Sequence, residues 1–163
     1  MVGIGNDHAG VELKREIIAY FEENNIAYTD FGCHAGEKCD YPDAAKTVCD
    51  RVVDGTCDCA VLICGTGVGI SMAANKVKGI RAACCSDYFS AKYTRVHNNA
   101  NVLCLGARVV GAGLAVELVD VFLHTEFETG GRHSARVAKI DALDERNNQL
   151  RNEICTEKCN EYK

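Results

Sequence analysis

Residues 59–76 read CAVLICGTGVGISMAANK. Cys59–Cys64 is a continuous apolar run of strand length, the pattern of a strand buried on both faces. Three glycines follow at alternate positions, Gly65, Gly67 and Gly69, and the chain then reads as helix over 70–77. Strand, glycine turn and helix in that order form the repeating unit of a parallel sheet covered by helices. Glycines in such a turn let backbone N–H groups face inward, toward an anion.

The same alternation extends in both directions. VGIGND (2–7) predicts a strand, and residues 11–25 carry apolar side chains at 13, 17, 18 and 21, one helical face. IAYTDFG (26–32) predicts a second strand. A loop holding the only proline, Pro42, leads into a helix over 43–55. After the glycine turn come a strand at 79–86, a helix at 87–99, a strand at 100–106 and a helix at 111–125. ETGGR (128–132) is a break, and from His133 the chain reads as helix, with apolar residues at 137, 140, 143, 150 and 154. The expectation is one Rossmann-like α/β domain in three layers around a five-stranded parallel sheet.

The 163 residues suffice for one domain with a proper core. The net charge of -5, with no Lys/Arg cluster longer than a pair, argues against nucleic acid as a partner. The first residues show no signal-peptide pattern, and no apolar run reaches the ~20 residues of a membrane span. The expected location is the cytoplasm. Eleven cysteines stand at 33, 39, 49, 57, 59, 64, 84, 85, 104, 155 and 159. Several fall inside apolar runs, where a reduced cysteine acts as a small hydrophobe, so most read as core filler. Neither Cys57-x-Cys59 nor the Cys155–Cys159 spacing supplies the paired C-x-x-C of a zinc site, and no metal is expected.

In an open parallel sheet the ligand sits at the carboxyl ends of the strands, near the switch in strand order. The candidates there are Asp7 and His8, Cys64 to Gly69, Ser86 and Asp87, and Ala107 and Arg108. The glycine turn is not a dinucleotide fingerprint, because position 70 is Ile where G-x-G-x-x-G needs glycine. In favour of a nucleotide, Asp87 stands 18 residues after Gly69, near where a ribose-binding acid belongs. No Walker A motif occurs, and a ligand-free tight turn stays open.

Cys64 is the most suggestive thiol. It precedes a helix N-terminus, whose unpaired N–H groups favour negative charge, so it suits a general base or a nucleophile. Thr66 beside it can position a proton. His8 and His97 lie near element ends next to polar residues, whereas His34 and His124 lack such neighbours. Arg132 and Arg136 are one helical turn apart, which suits a phosphate or a solvated surface pair. An anion clamp of Arg132, Arg136, Arg108 and His8, a thiol base, inward N–H groups and a proton-moving histidine together suit aldose–ketose isomerisation through an enediolate.

Seven blocks, in order between residues 2 and 147, carry a resemblance: DHAG (7–10), DYP (40–42), ICGTGVGISMAANK (63–76), GIRA (79–82), HNNANVL (97–103), GARVVG (106–111) and GGRH..R (130–136). The chain resembles the type B ribose-5-phosphate isomerases and the related galactose-6-phosphate and allose-6-phosphate isomerases. The resemblance implies exchange of ribose 5-phosphate and ribulose 5-phosphate, without metal or cofactor. It implies a homodimer with active sites shared between subunits, further pairing to a tetramer being left open, and a C-terminal helix that extends to the partner.

On that pattern Cys64 shuttles the proton between C1 and C2. Thr66 and the backbone of Gly65, Gly67 and Gly69 steady the enediolate. His97 opens the sugar ring with help from Asp7, Tyr41 and Asn98 contact the substrate, and His8, Arg108, Arg132 and Arg136 hold the phosphate. Members without this cysteine use a glutamate on the following helix, where this chain has Ile70. The isomerase domain is expected over 1–147, with 148–163 a helical or frayed extension. Three alternatives stay open: a six-carbon substrate, a binding module without turnover, and a thiol redox sensor. The last needs a resolving cysteine near Cys64, and Cys84 or Cys85 on the next strand is the candidate.

Overall fold

The computed structural model describes residues 1–144. Residues 1–127 form one compact unit, and a second begins at Glu128. The first unit runs β1 (Val2–Asn6), a single 3-10 turn (His8–Gly10), α1 (Val11–Glu23), β2 (Tyr28–Asp30), α2 (Tyr41–Val53), β3 (Cys59–Cys64), α3 (Val68–Ala74), β4 (Ala82–Cys84), α4 (Tyr88–Asn98), β5 (Val102–Gly106) and α5 (Ala112–Leu123). All strand pairs are parallel, in the order β2-β1-β3-β5-β4. The five-stranded parallel sheet and its helical layers follow the expectation.

The alternation along β3 assigns the layers. Val61 and Ile63 point into a core shared with Leu13, Ile17 and Phe21 of α1 and with Leu118 and Phe122 of α5. Ala60, Leu62 and Cys64 point the other way, onto Val48 of α2 and Ile70 of α3. Both faces are covered, so the strand has no polar position to offer. Gly5 lets α2 approach, because a Cβ there would lie 2.5 Å from Val48.

Several boundaries differ from the expectation. Helix α2 begins at Tyr41, not at 43, and takes Pro42 into its first turn. A first-turn N–H has no intrahelical partner, so proline is tolerated there. Strands β2 and β4 are only three residues each, shorter than their apolar runs suggested. Both are edge strands, which pair on one side alone. The second unit carries a helix over 131–144, which we call α6. Its start is tied by the Gly130 N–H donating to Ser134 Oγ at 2.7 Å. The expected extension at 148–163, with Cys155 and Cys159, lies outside the described residues.

Candidate active site

The chain leaves β1 toward β2 on one side and returns to β3 on the other. The switch in strand order therefore falls between the carboxyl ends of β1 and β3. A cleft of about 210 Å³ opens there. Asp7, His8 and Ala9 line it from β1, Cys64, Gly65, Thr66 and Gly69 from β3, with Tyr41 and Arg108 closing the sides.

Cys64 is the last residue of β3 and is 4% exposed. The Gly67 N–H donates to its Sγ at 3.2 Å. Gly67 is left-handed, with φ 77, and an added Cβ would lie 2.8 Å from Cys84 Sγ and 2.9 Å from the Leu105 backbone. Only glycine fits there, on both counts. Thr66 Oγ1 accepts from the Val68 N–H at 3.3 Å. Helix α3 has seven residues, so its influence on the sulfur comes from first-turn N–H groups rather than a long dipole.

Two further turns are sewn onto the glycine loop. The Ala107 N–H donates to the Cys64 carbonyl (2.9 Å) and the Arg108 N–H to the Gly65 carbonyl (3.0 Å). The Arg108 guanidinium lies over Gly65, 3.5 Å from where a Cβ would stand. Gly69 faces the Tyr41 ring, which would be 3.0 Å from its Cβ. Across the cleft, Asp7 is buried, and its Oδ1 accepts from the Ala9 N–H at 2.9 Å. His8 is exposed, and its Nδ1 lies 3.4 Å from the Cys39 carbonyl.

The structure thus brings together Asp7, His8, Tyr41, Cys64, Gly65, Thr66, Gly69 and Arg108, with Gly67 behind the sulfur. It does not bring His97 and Asn98 to them within one chain. Helix α4 starts beyond the carboxyl end of β4 and returns toward the amino edge, where β5 begins. Its last residues line a separate groove of about 430 Å³ with Phe89, Tyr93 and Cys85. His97 stacks on Tyr93 there, ring centroids 4.9 Å apart. Arg132 and Arg136 are exposed residues of α6, and Arg132 Nε donates to His133 Nε2 at 3.3 Å.

Several candidates resolve differently. Asp87 caps α4, its Oδ1 accepting from the Ser90 N–H at 2.8 Å. That backbone hydrogen bond holds its carboxyl below the usual range, a capping role that absorbs the supposed ribose-binding acid. Ile70 is fully buried in the core, where it fills space. The cysteines are mostly core, as expected: Cys33, Cys49, Cys57, Cys64, Cys85 and Cys104 are buried. Burial pushes the thiol of Cys49 up to about 12 and that of Cys85 up to about 11. Cys84 is exposed, but it and Cys64 lie on β4 and β3, either side of β5. That separation, about 9.6 Å, is beyond a disulfide's reach without backbone movement. Among the described residues no group of three or more His, Cys, Asp or Glu could hold a metal, and no helix is long and apolar enough to cross a membrane.

A second cleft carries a histidine that the sequence leaves without a role. His34, set aside for want of polar neighbours, lines this cleft of about 410 Å³ with His8, Glu12, Glu37 and Lys38. Only the fold reveals this, because the loop after β2 returns beside the 3-10 turn.

A family model described as Ribose/Galactose Isomerase matches residues 2–140. The chain is 48% identical over 147 residues to ribose-5-phosphate isomerase B of Escherichia coli, covering 90% of this chain and 98% of that one. It is 44% identical over 140 residues to the D-erythrulose-4-phosphate isomerase of Pectobacterium atrosepticum, covering 85% and 91%. A solved structure of ribose-5-phosphate isomerase B from Clostridium thermocellum superposes with a TM-score of 0.87 at 49% identity, covering 90% of this chain and 98% of the other.

Proposed function

The chain belongs to the ribose/galactose isomerase family, and from that premise we propose how its cleft interconverts ribose 5-phosphate and ribulose 5-phosphate. The reaction moves one proton between C2 and C1 and one between the two oxygens, through an enediolate. Cys64 Sγ takes the C2 proton and returns it to C1. The observation that carries this assignment is the position of Cys64, a buried thiol at the switch point with a backbone N–H aimed at its sulfur. Thr66 and the N–H groups of the glycine loop face the enediolate oxygens, where charge develops. Asp7, held by the Ala9 N–H, assists ring opening at the sugar. His8 and Arg108 offer cationic groups to the phosphate, and Tyr41 packs along the sugar.

The proton donor for ring opening comes from a second copy of the chain. The direction of α4 supports this, since it carries His97 and Asn98 away from the carboxyl edge that holds Cys64. A two-fold dimer supplies each cleft with His97 and Asn98 of the partner subunit, and Arg132 and Arg136 add guanidinium groups for the phosphate.

The test is proton NMR in D2O with ribose 5-phosphate, on wild type and on Cys64→Ala under reducing conditions. Wild type forms ribulose 5-phosphate and exchanges the C2 proton. The variant binds the sugar phosphate and does neither. An active Cys64→Ala would keep the isomerase and remove the cysteine base. An inert wild type would move the search to four- and six-carbon phosphates.

A further inference from the structure

Asn6 ends β1 with no exposed surface. Val2 and Ile4, four and two residues earlier, point into the core shared with α1, so strand alternation gives position 6 to that face as well. An amide there is tolerated only where hydrogen bonds replace water. The Asn6 Nδ2 group donates to the Asp7 carbonyl at 2.7 Å and to the Cys33 carbonyl at 3.3 Å. Its Oδ1 has no hydrogen-bond partner among the described residues and rests against Gly32, where a Cβ would stand 1.9 Å from it. The amide's orientation follows, because the reverse would set Oδ1 against two carbonyl oxygens. In the pairing of β1 with β3, Asn6 stands beside Ile63, and the Asp7 N–H donates to the Ile63 carbonyl at 3.0 Å. Asp7 and Cys64 therefore leave the sheet side by side. The Asp7 carbonyl also accepts from the Gly10 N–H at 3.0 Å, and Asp7 Oδ1 from the Ala9 N–H at 2.9 Å. One buried amide thus joins the turn that carries Asp7 to the loop after β2.

We infer that Asn6 is a positioning residue for ring opening, its amide setting the Asp7 carboxylate against the sugar; the inference rests on the isomerase reading of the cleft. Ribose 5-phosphate arrives as a furanose. Opening it breaks the C1–O4 bond: the proton of the O1 hydroxyl leaves to a base, and O4 takes a proton from an acid. The Asp7 carboxylate is the base in this step, and its reach toward O1 is fixed by the backbone that carries it. The Asn6 amide holds that backbone through its 2.7 Å bond to the Asp7 carbonyl. Being fully buried, Asn6 touches no ligand and acts through Asp7 alone. The proton shuttle is held separately, because the Cys64 sulfur takes its donor from the Gly67 N–H. Loss of the Asn6 amide should therefore separate two halves of the reaction. Ribulose 5-phosphate isolates the second half. Its O5 carries the phosphate, so its C2 ketone has no hydroxyl with which to close a furanose, and it reaches the enediolate without ring opening.

The experiment compares the full-length chain with Asn6→Leu, which keeps the volume and loses the amide. Each carbonyl retains another donor, the Gly10 N–H for Asp7 and Lys14 Nζ for Cys33, so the fold should survive, and a thermal melt checks this. Should Asn6→Leu fail to fold, Asn6→Ala is read in the same way. Two rates are measured at saturating sugar phosphate: turnover of ribose 5-phosphate, and deuterium entry at C1 of ribulose 5-phosphate in D2O. Turnover should fall about tenfold, the scale of one hydrogen bond, while C1 exchange stays within about twofold of wild type. A residue that merely holds the fold together would slow both rates alike. Equal falls, no fall in turnover, or a fall in exchange alone overturn the inference. Asp7→Asn should show the same split; equal falls there remove Asp7 from ring opening, and Asn6 with it. A wild type without turnover instead overturns the isomerase reading itself.

Discussion

Gly67 donates its backbone N–H to Cys64 Sγ at 3.2 Å from a left-handed conformation with φ 77. The donor exists because the residue is glycine. Gly67→Ala meets a left-handed cost of roughly 1–2 kcal/mol and a backbone contact at 2.9 Å. The loop must shift, and the N–H moves off the sulfur. The expected outcome is a fall in kcat of about a hundredfold, the scale of one lost transition-state donor. Substrate binding should hold within a few-fold. Steady-state kinetics beside a thermal melt separate this from simple unfolding.

Arg108 lies over Gly65 with its own N–H bonded to the Gly65 carbonyl. Its backbone thus belongs to the loop, while its guanidinium lines the cleft and, on the proposed reading, meets the phosphate. Arg108→Lys keeps the charge and loses the planar fork. KM for ribose 5-phosphate should rise about tenfold with kcat nearly unchanged, as for a contact equal in ground and transition states. An equal fall in kcat would place Arg108 in the chemical step instead.

The run at 59–64 and its glycine turn were legible because a strand buried on both faces has one pattern, unbroken apolar sequence. The helix faces of α1 and α5 were legible from their period. Legibility failed where geometry is set at a distance. Pro42 reads as part of the loop before α2, yet a helix's first turn accepts it. His34 looked isolated because its neighbours His8 and Glu12 arrive from another strand's end. Asp87 had the right spacing for a ribose, but a cap at the start of α4 uses the same residue type.

Tyr20 donates to Asp120 Oδ1 at 2.6 Å, joining α1 to α5. Burial, then this hydrogen bond to the carboxylate, pushes the Tyr20 phenol up to about 12. A phenol raised in the folded state gives stability that is fully present below its unfolded value near 10. That stability is lost as pH rises through 12. In an ultraviolet titration, one of the six tyrosines should ionise last. Tyr20→Phe should remove that step and flatten the decline of stability between about pH 10 and 12.

Lys14 is 3% exposed, and its Nζ contacts Asp30 Oδ2 at 2.8 Å and the Cys33 carbonyl at 2.9 Å. One ammonium therefore joins α1, β2 and the loop that faces His8. Lys14→Met removes the ammonium from a half-buried carboxylate and from the Cys33 carbonyl, which keep only the Gly32 and Asn6 N–H donors. The expected loss is about 3 kcal/mol, read as a lower urea midpoint with an unchanged slope. An isosteric double variant, Lys14→Met with Asp30→Asn, should recover part of it. No recovery would mean that the Cys33 carbonyl, not the ion pair, carries the effect.

Cys64 ends β3 and His97 lies in the last turn of α4, in a different groove, so the proposed sharing of sites between subunits is open to a complementation test. On the proposed assignment, Cys64→Ala removes the base and His97→Ala the ring-opening donor. Each homodimer should be inactive, because both of its clefts lack one group. In a mixed dimer, both lesions fall in one cleft and the other cleft is intact. Co-refolding equal amounts should therefore restore about a quarter of the wild-type activity, since half the dimers are mixed and each has one working site. Restoration must require exchange, so variants mixed after folding should recover only as subunits dissociate. If co-refolding restores nothing while each variant still binds ribose 5-phosphate, His97 acts in its own chain's cleft, and the two-subunit assignment falls.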